Sequence, residues 1–131
     1  MLDDDDYKTL AAVRAELRSF SHFTENVVKG AGLTPQQHQV LVALRAADNG
    51  ELSIGRLAEI LLLQPHSVSG LADRLQALGM VDRVRKESDR RTIHLRLTDR
   101  AKELMSSLSL AHHNELRRIR PLLMALLSQL D

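Results

Sequence analysis

The sequence predicts a mainly α chain with one small β-hairpin, an α+β fold in which a helix-turn-helix is followed by a charged wing. Three observations predict it. Apolar residues recur three and four apart near both ends of the chain, as in Leu10, Val13, Leu17 and Phe20, which is the period of a helix with one buried face. Thr34-Pro35 and Gln64-Pro65 each place proline at a first helical position, where its missing N–H costs nothing. Between Met80 and Leu97, two runs that alternate apolar with charged residues flank the tip Lys86-Glu87-Ser88-Asp89-Arg90-Arg91, and period-two alternation on both sides of a polar turn predicts an antiparallel hairpin.

In chain order, Tyr7 to about Lys29 reads as one long amphipathic helix, with Asp3 to Asp6 ahead of it at the positive end of its dipole. Lys29-Gly30-Ala31-Gly32 stops it. Thr34, Pro35 and Gln37 then form a capping-box start to a second helix that reaches about Ala47 and turns Val40, Leu41 and Leu44 to the core. After the turn Asp48-Asn49-Gly50, Ser53 caps a short third helix carrying Ile54, Leu57, Ala58 and Leu61, and Leu62-Leu63-Gln64 is a turn. The fourth helix spans Pro65 to Leu78, with Val68, Leu71, Leu75 and Leu78 as its core face and His66, Ser67, Ser69, Gly70, Asp73 and Arg74 as a small, polar outer face. Gly79 ends it, and the hairpin follows with a six-residue tip. Thr98 caps a last long helix with Ala101, Met105, Leu108, His112, Leu116 and Ile119 along one side, which Pro121 kinks or restarts into the run Leu122 to Leu127.

At 131 residues the chain has the length of one folding unit, residues 1–131. No apolar run approaches the ~20 residues that cross a bilayer, and the acidic start is the opposite of a signal peptide's basic head, so a cytoplasmic protein without a membrane partner is expected. The absence of cysteine excludes disulfides, thiolate nucleophiles and thiol redox sensing. The formal net charge of +1 hides an uneven distribution. Between Asp82 and Lys102 eight Lys/Arg face four acids, and phosphates meet a local patch rather than the whole-chain sum. A solvated charged hairpin is the plainer explanation of the same residues. Of the six histidines no two are spaced four apart, and the adjacent His112 and His113 point about 100° apart on a helix. No metal, cofactor or catalytic residue is expected, because no nucleophile-base pair, phosphate loop or carboxylate pair stands out.

The residues Leu57-Ala58-Glu59, Val68-Ser69, Asp73-Arg74-Leu75, Leu78-Gly79-Met80-Val81-Asp82-Arg83, Asp89-Arg90-Arg91 and Leu97-Thr98 resemble the MarR family of bacterial and archaeal transcription regulators. Leu33-Thr34-Pro35-Gln36-Gln37 is similar to that family's second-helix start, so the resemblance covers about Leu33 to Ala101. It implies a winged helix-turn-helix homodimer on a near-palindromic operator in double-stranded DNA, most simply as a repressor. The lobe would be residues 33–100, and residues 7–29 and 99–130 would be long dimerisation helices.

By the same resemblance, Gln64, Pro65, His66, Ser67, Ser69, Gly70 and Arg74 belong to the recognition helix facing the DNA. Lys86, Ser88, Asp89, Arg90 and Arg91 form the DNA-binding wing, with Arg91 entering a minor groove and Asp89 shaping the wing. Dimer contacts are expected from Leu10, Val13, Leu17, Leu116, Ile119, Leu123, Leu126 and Leu127. The chain departs from the family pattern at Gln64, where a small cap is usual, at Gly70, where a larger polar residue is usual, and at its end, where a further helix is common. Many members release DNA on binding aromatic acids, so a small-molecule effector stays open, with only Tyr7, Phe20 and Phe23 to stack on one. A winged-helix module for protein contacts, without sequence-specific DNA binding, is the competing expectation.

Overall fold

The computed structural model describes residues 1–130. Its elements are α1 (Asp4–Gly30), α2 (Pro35–Ala46), a 3-10 turn (Asp48–Gly50), β1 (Glu51–Ser53), α3 (Ile54–Leu61), α4 (Pro65–Ala77), β2 (Val81–Lys86), β3 (Asp89–Leu97) and α5 (Asp99–Leu127). This is the mainly α chain with a small antiparallel sheet that the sequence predicts. The residues group into two compact units, one of Leu33–Ser107 and one of Met1–Gly32 with the chain from Leu108 onward.

The unit Leu33–Ser107 is organised by capped helices around one core. Thr34 Oγ1 accepts from the Gln37 N–H at 3.2 Å while Gln37 Oε1 accepts from the Thr34 N–H at 3.0 Å, a reciprocal box that satisfies two otherwise free donors. From that start α2 buries Val40, Leu41 and Leu44 completely and packs on α3, α4 and β3. Leu57, Val68, Leu75, Val81 and Leu95 complete this core with no exposure at all. Each such side chain contributes about 1.5–3 kcal/mol by leaving water, which is why the helix-turn-helix and the base of the sheet hold as one body.

Ser53 Oγ accepts from the Arg56 N–H and starts α3. The helix ends unusually, on Leu62 in the left-handed conformation (φ 57°, ψ 43°). There the Leu63 N–H reaches the Ala58 carbonyl at 2.9 Å, so the turn into α4 closes two orphan carbonyls at the expense of a leucine where glycine is favoured.

In α4 the buried residues are Val68, Leu71, Ala72 and Leu75. Leu78, expected in the core, is instead 40% exposed, because the helix stops at Ala77 and Leu78 is its C-cap. Gly79 (φ 74°) reverses the chain as expected, and the Met80 N–H donates back to the Leu75 carbonyl at 2.9 Å.

The sheet has the order β1-β3-β2. Its third strand, β1, escaped the sequence reading, since three residues are too few to show alternation. They pair Glu51 with Arg96, Leu52 with Leu95 and Ser53 with His94. The hairpin also differs from its expectation. Only Glu87-Ser88 lies between the strands, yet the regular ladder stops at Arg85 opposite Ile93 and resumes with Lys86 opposite Asp89. Arg90, Arg91 and Thr92 are therefore extra residues on β3, a bulge at the tip of the kind that re-aims side chains. At the other end of the hairpin, Thr98 donates its hydroxyl to the Gly79 carbonyl at 2.6 Å and accepts from the Ala101 N–H, as its role of cap requires.

In the second unit, α1 begins earlier than the expected Tyr7. Asp3 is the cap: its carboxylate accepts from the Asp6 N–H and the Asp6 carboxylate accepts from the Asp3 N–H, both at 2.9 Å. Asp4, Asp5 and Asp6 thus form the first turn rather than a leader to it, stabilised by the helix dipole. The Thr9 hydroxyl donates to Gln129 Oε1 at 3.0 Å, joining α1 to the residues that follow α5. Pro121 neither breaks nor restarts α5, which is one element across it; the missing N–H removes one hydrogen bond, and the strong helix formers Arg120, Leu122 and Leu123 on either side carry the helix past it.

Replacing Leu62 with glycine is expected to stabilise the protein by about 1 kcal/mol, raising Tm by roughly 3–5 °C. A thermal melt followed by circular dichroism checks this; a lower Tm would show that Leu62 makes a compensating contact.

Candidate nucleic-acid interface

The first turn of α4 presents Gln64, Pro65, His66 and Ser67, all exposed, followed by half-buried Ser69 and Gly70 and exposed Arg74. Gln64 makes no side-chain cap; its carbonyl accepts from the Ser67 and Val68 N–H groups instead. A Cβ placed on Gly70 would meet nothing within 4 Å, so packing within the protein does not require glycine there. It costs the helix about 1 kcal/mol relative to alanine and leaves a shallow, side-chain-free stretch of backbone on the outer face.

The wing tip is shaped by hydrogen bonds to Asp89. Its carboxylate accepts from the Thr92 hydroxyl at 2.5 Å and from the Arg91 N–H at 3.2 Å, holding the three-residue bulge closed. The Thr92 hydroxyl first, then the backbone N–H groups of Arg91 and Thr92 and the nearby His94, hold this carboxyl below its ordinary range. Arg85 donates to the Arg90 carbonyl at 2.6 Å, giving a carbonyl of the bulge a partner. Ser88 is exposed in the turn. The guanidinium groups of Arg90 and Arg91 are exposed and make no ion pair among the described residues.

Other basic residues of the region are already engaged. Lys86 Nζ lies 2.9 Å from the Glu51 carboxylate and Arg96 meets the other oxygen of that carboxylate, also at 2.9 Å. Lys86, expected at the DNA, is thus held by the wing's own sheet. Lys86 first and then Arg96 hold the Glu51 carboxyl below its ordinary range.

Arg83, which sequence reasoning did not single out, joins the two halves of the site. From β2 it donates to Gln76 Oε1 at 2.6 Å, to Asp73 Oδ1 at 2.7 Å and to the Ser69 carbonyl at 3.3 Å, all on α4. Asp73 and Gln76 are three apart, hence on one helix face, so a single side chain can reach both. That spacing was visible in the sequence; the cation that fills it was one of eight candidates and was not.

The residues expected at a dimer interface sit on α1 and on the C-terminal half of α5. Leu10, Leu17, Leu116 and Leu127 are each about half exposed, at 49%, 50%, 48% and 51%, and Val13, Leu123 and Leu126 are half-buried. Ile119 is 1% exposed in the single chain. The reason is its place on the inward side of α5, so it has little surface left for a partner. An open apolar groove on α5 is lined by Leu116, Leu123, Met124 and Leu127. No helix among the described residues is long and apolar enough to cross a membrane.

Residues 31–92 match the sequence model of a family described as the MarR family. The chain is 38% identical over 68 residues to the transcriptional repressor MdtR of Bacillus subtilis, covering 52% of this chain and 43% of MdtR; it therefore spans less than half of that relative. The fold is shared with AbsC, a MarR family transcriptional regulator from Streptomyces coelicolor (TM-score 0.77, 24% identity, 90% of this chain and 80% of that one). It is shared equally with Sco3205, a MarR family transcriptional regulator of the same organism solved in complex with DNA (TM-score 0.75, 20% identity, 90% and 75% covered).

Because the Asp89 carboxyl is depressed below its ordinary 3.8, the contacts it makes are present above that pH and are lost only as pH falls below it. Following the Arg91 backbone amide by NMR during acid titration should show no change through the neutral range and a midpoint below 3.8. A midpoint above that value would mean that Asp89 does not hold the bulge.

Proposed function

We propose that the chain belongs to the MarR family, whose sequence model residues 31–92 match, and that it is a homodimeric, sequence-specific DNA-binding regulator of transcription. It acts in the cytoplasm as a repressor on a near-palindromic operator, where occupancy excludes polymerase. The observation that carries this reading is the wing tip: a bulge shaped by Asp89 exposes Arg90 and Arg91, which pair with no acid among the described residues. A guanidinium so placed suits a narrow minor groove, where negative potential is concentrated. The outer face of α4, with Gln64, His66, Ser67 and Ser69 exposed or half-buried and Gly70 leaving its backbone open, suits a major groove read at close range by short polar side chains. Two copies follow from the exposed leucines Leu10, Leu17, Leu116 and Leu127, which lose water by pairing with the same surface on a second chain. Release by a small aromatic effector belongs to the same reading, with Tyr7 and Phe23 exposed at 58% and 39% to stack on it.

Selecting bound duplexes from random DNA at stated salt tests the proposal. The selected sites should carry a dyad with half-sites about 10 to 10.5 base pairs apart. On the best of them Arg91→Ala should weaken binding by roughly 1–3 kcal/mol, with a salt slope shallower by about one unit. Failure to select any sequence, or an Arg91→Ala variant that binds like the native protein, would favour a winged-helix module for protein contacts instead.

A further inference from the structure

Three cations of the wing region are neutralised by acids of the protein, and one of those acids does double service. Glu51 belongs to β1, the edge strand opposite β2 across β3, and its Cα is paired with that of Arg96. Its side chain is only 7% exposed, yet its two oxygens meet Lys86 and Arg96 at 2.9 Å each. Lys86 is the last residue of β2, just past the point where the regular ladder ends. It therefore lies at the edge of the bulge that carries Arg90 and Arg91, and unlike Arg85, which is tied to the Arg90 carbonyl, it is paired only with an acid. Its side chain is 48% exposed, so it would be free to meet a phosphate were Glu51 not there.

We propose that Glu51 is a specificity-determining residue: by holding Lys86 it withholds one phosphate-binding cation from the wing and so lowers binding to DNA of arbitrary sequence. The inference rests on the DNA-binding reading above. Its logic is that phosphate contacts raise affinity for every duplex alike, whereas groove contacts discriminate. A wing with Lys86, Arg90 and Arg91 all free would grip any duplex more firmly and gain little at its own site, where Arg91 does the discriminating. Glu51 leaves the two arginines of the bulge as the free cations at the tip. Because Lys86 stays half exposed while paired, the withheld contact amounts to about one phosphate.

The test compares native protein, Glu51→Gln, Lys86→Ala and the double variant, each checked for an intact thermal transition. Two quantities are read: affinity for a random-sequence duplex against salt, and the salt at which each protein leaves a heparin column. Glu51→Gln should bind the random duplex several-fold more tightly, with a slope steeper by about 0.9, and should leave heparin at higher salt. Lys86→Ala should cancel that gain in the double variant and shift the native protein less. If Glu51→Gln binds no more tightly, or gains equally with Lys86 removed, the proposal is overturned. Glu51→Thr, suited to a strand, replaces Glu51→Gln if the latter does not fold. Native protein that binds no duplex would defeat the functional reading, while the heparin comparison would still decide whether Glu51 withholds Lys86.

Discussion

The candidate interface depends on one guanidinium. Arg83 crosses from the wing to α4 and donates to Asp73, Gln76 and the Ser69 carbonyl, so the helix and the hairpin share a fixed angle. The Arg83 and Asp73 side chains are 27% and 72% exposed, and a pair that open to water contributes under about 1 kcal/mol to folding. Its importance is geometric. On the proposed reading, in which the wing and α4 enter neighbouring grooves together, the two are useful only if neither swings free, and a planar group with several donors in a fixed fork sets direction better than a point charge does. The core beneath, from Val40 and Leu44 to Val81 and Leu95, supplies the stability on which that geometry rests.

Electrostatics at the site are a matter of subtraction. The region from Asp82 to Lys102 is basic by count, yet Arg83, Lys86 and Arg96 are paired with Asp73 and Glu51, and Arg85 is occupied by the Arg90 carbonyl. What remains free at the tip is Arg90 and Arg91. A basic cluster read from sequence thus divides into cations on the strands that build the wing, Arg83, Arg85, Lys86 and Arg96, and the adjacent pair Arg90 and Arg91 that faces outward at the tip. The helix face obeys a similar economy, since Gly70 gives up about 1 kcal/mol of helix propensity at a place where no side chain of the protein asks for the space.

Much of this was legible in the sequence for a plain reason: caps and periods are local. Thr34 with Gln37, Ser53, Gly79 and Thr98 each do what their types and positions dictate, and the alternation around Val81 and Leu95 gives the hairpin. What the sequence did not reveal is long-range or compensatory. The strand Glu51–Ser53 exists only because β3 lies beside it. Leu62 takes a left-handed conformation because the turn into α4 needs it, against the residue's preference. The partners of Arg83 and Lys86 lie ten and thirty-five residues away, and no local rule chooses them among eight cations. Asp3 serves as a cap with an aspartate as its reciprocal partner, a variant of the usual Ser/Thr and Glu/Gln box that pattern reading passes over.

The central claim is that wing and helix engage DNA as one unit held by Arg83. The most direct measurement is a double-mutant cycle of Arg83→Gln and Asp73→Asn, read as affinity for the selected operator with folding monitored alongside. Arg83→Gln should cost about tenfold or more while the fold survives. Asp73→Asn, which leaves the Gln76 and Ser69 contacts, should cost less, and the double variant should be little worse than Arg83→Gln alone, because both act on the same link. Native affinity in Arg83→Gln, or losses that simply add, would contradict the account and leave the wing and the helix as independent contacts.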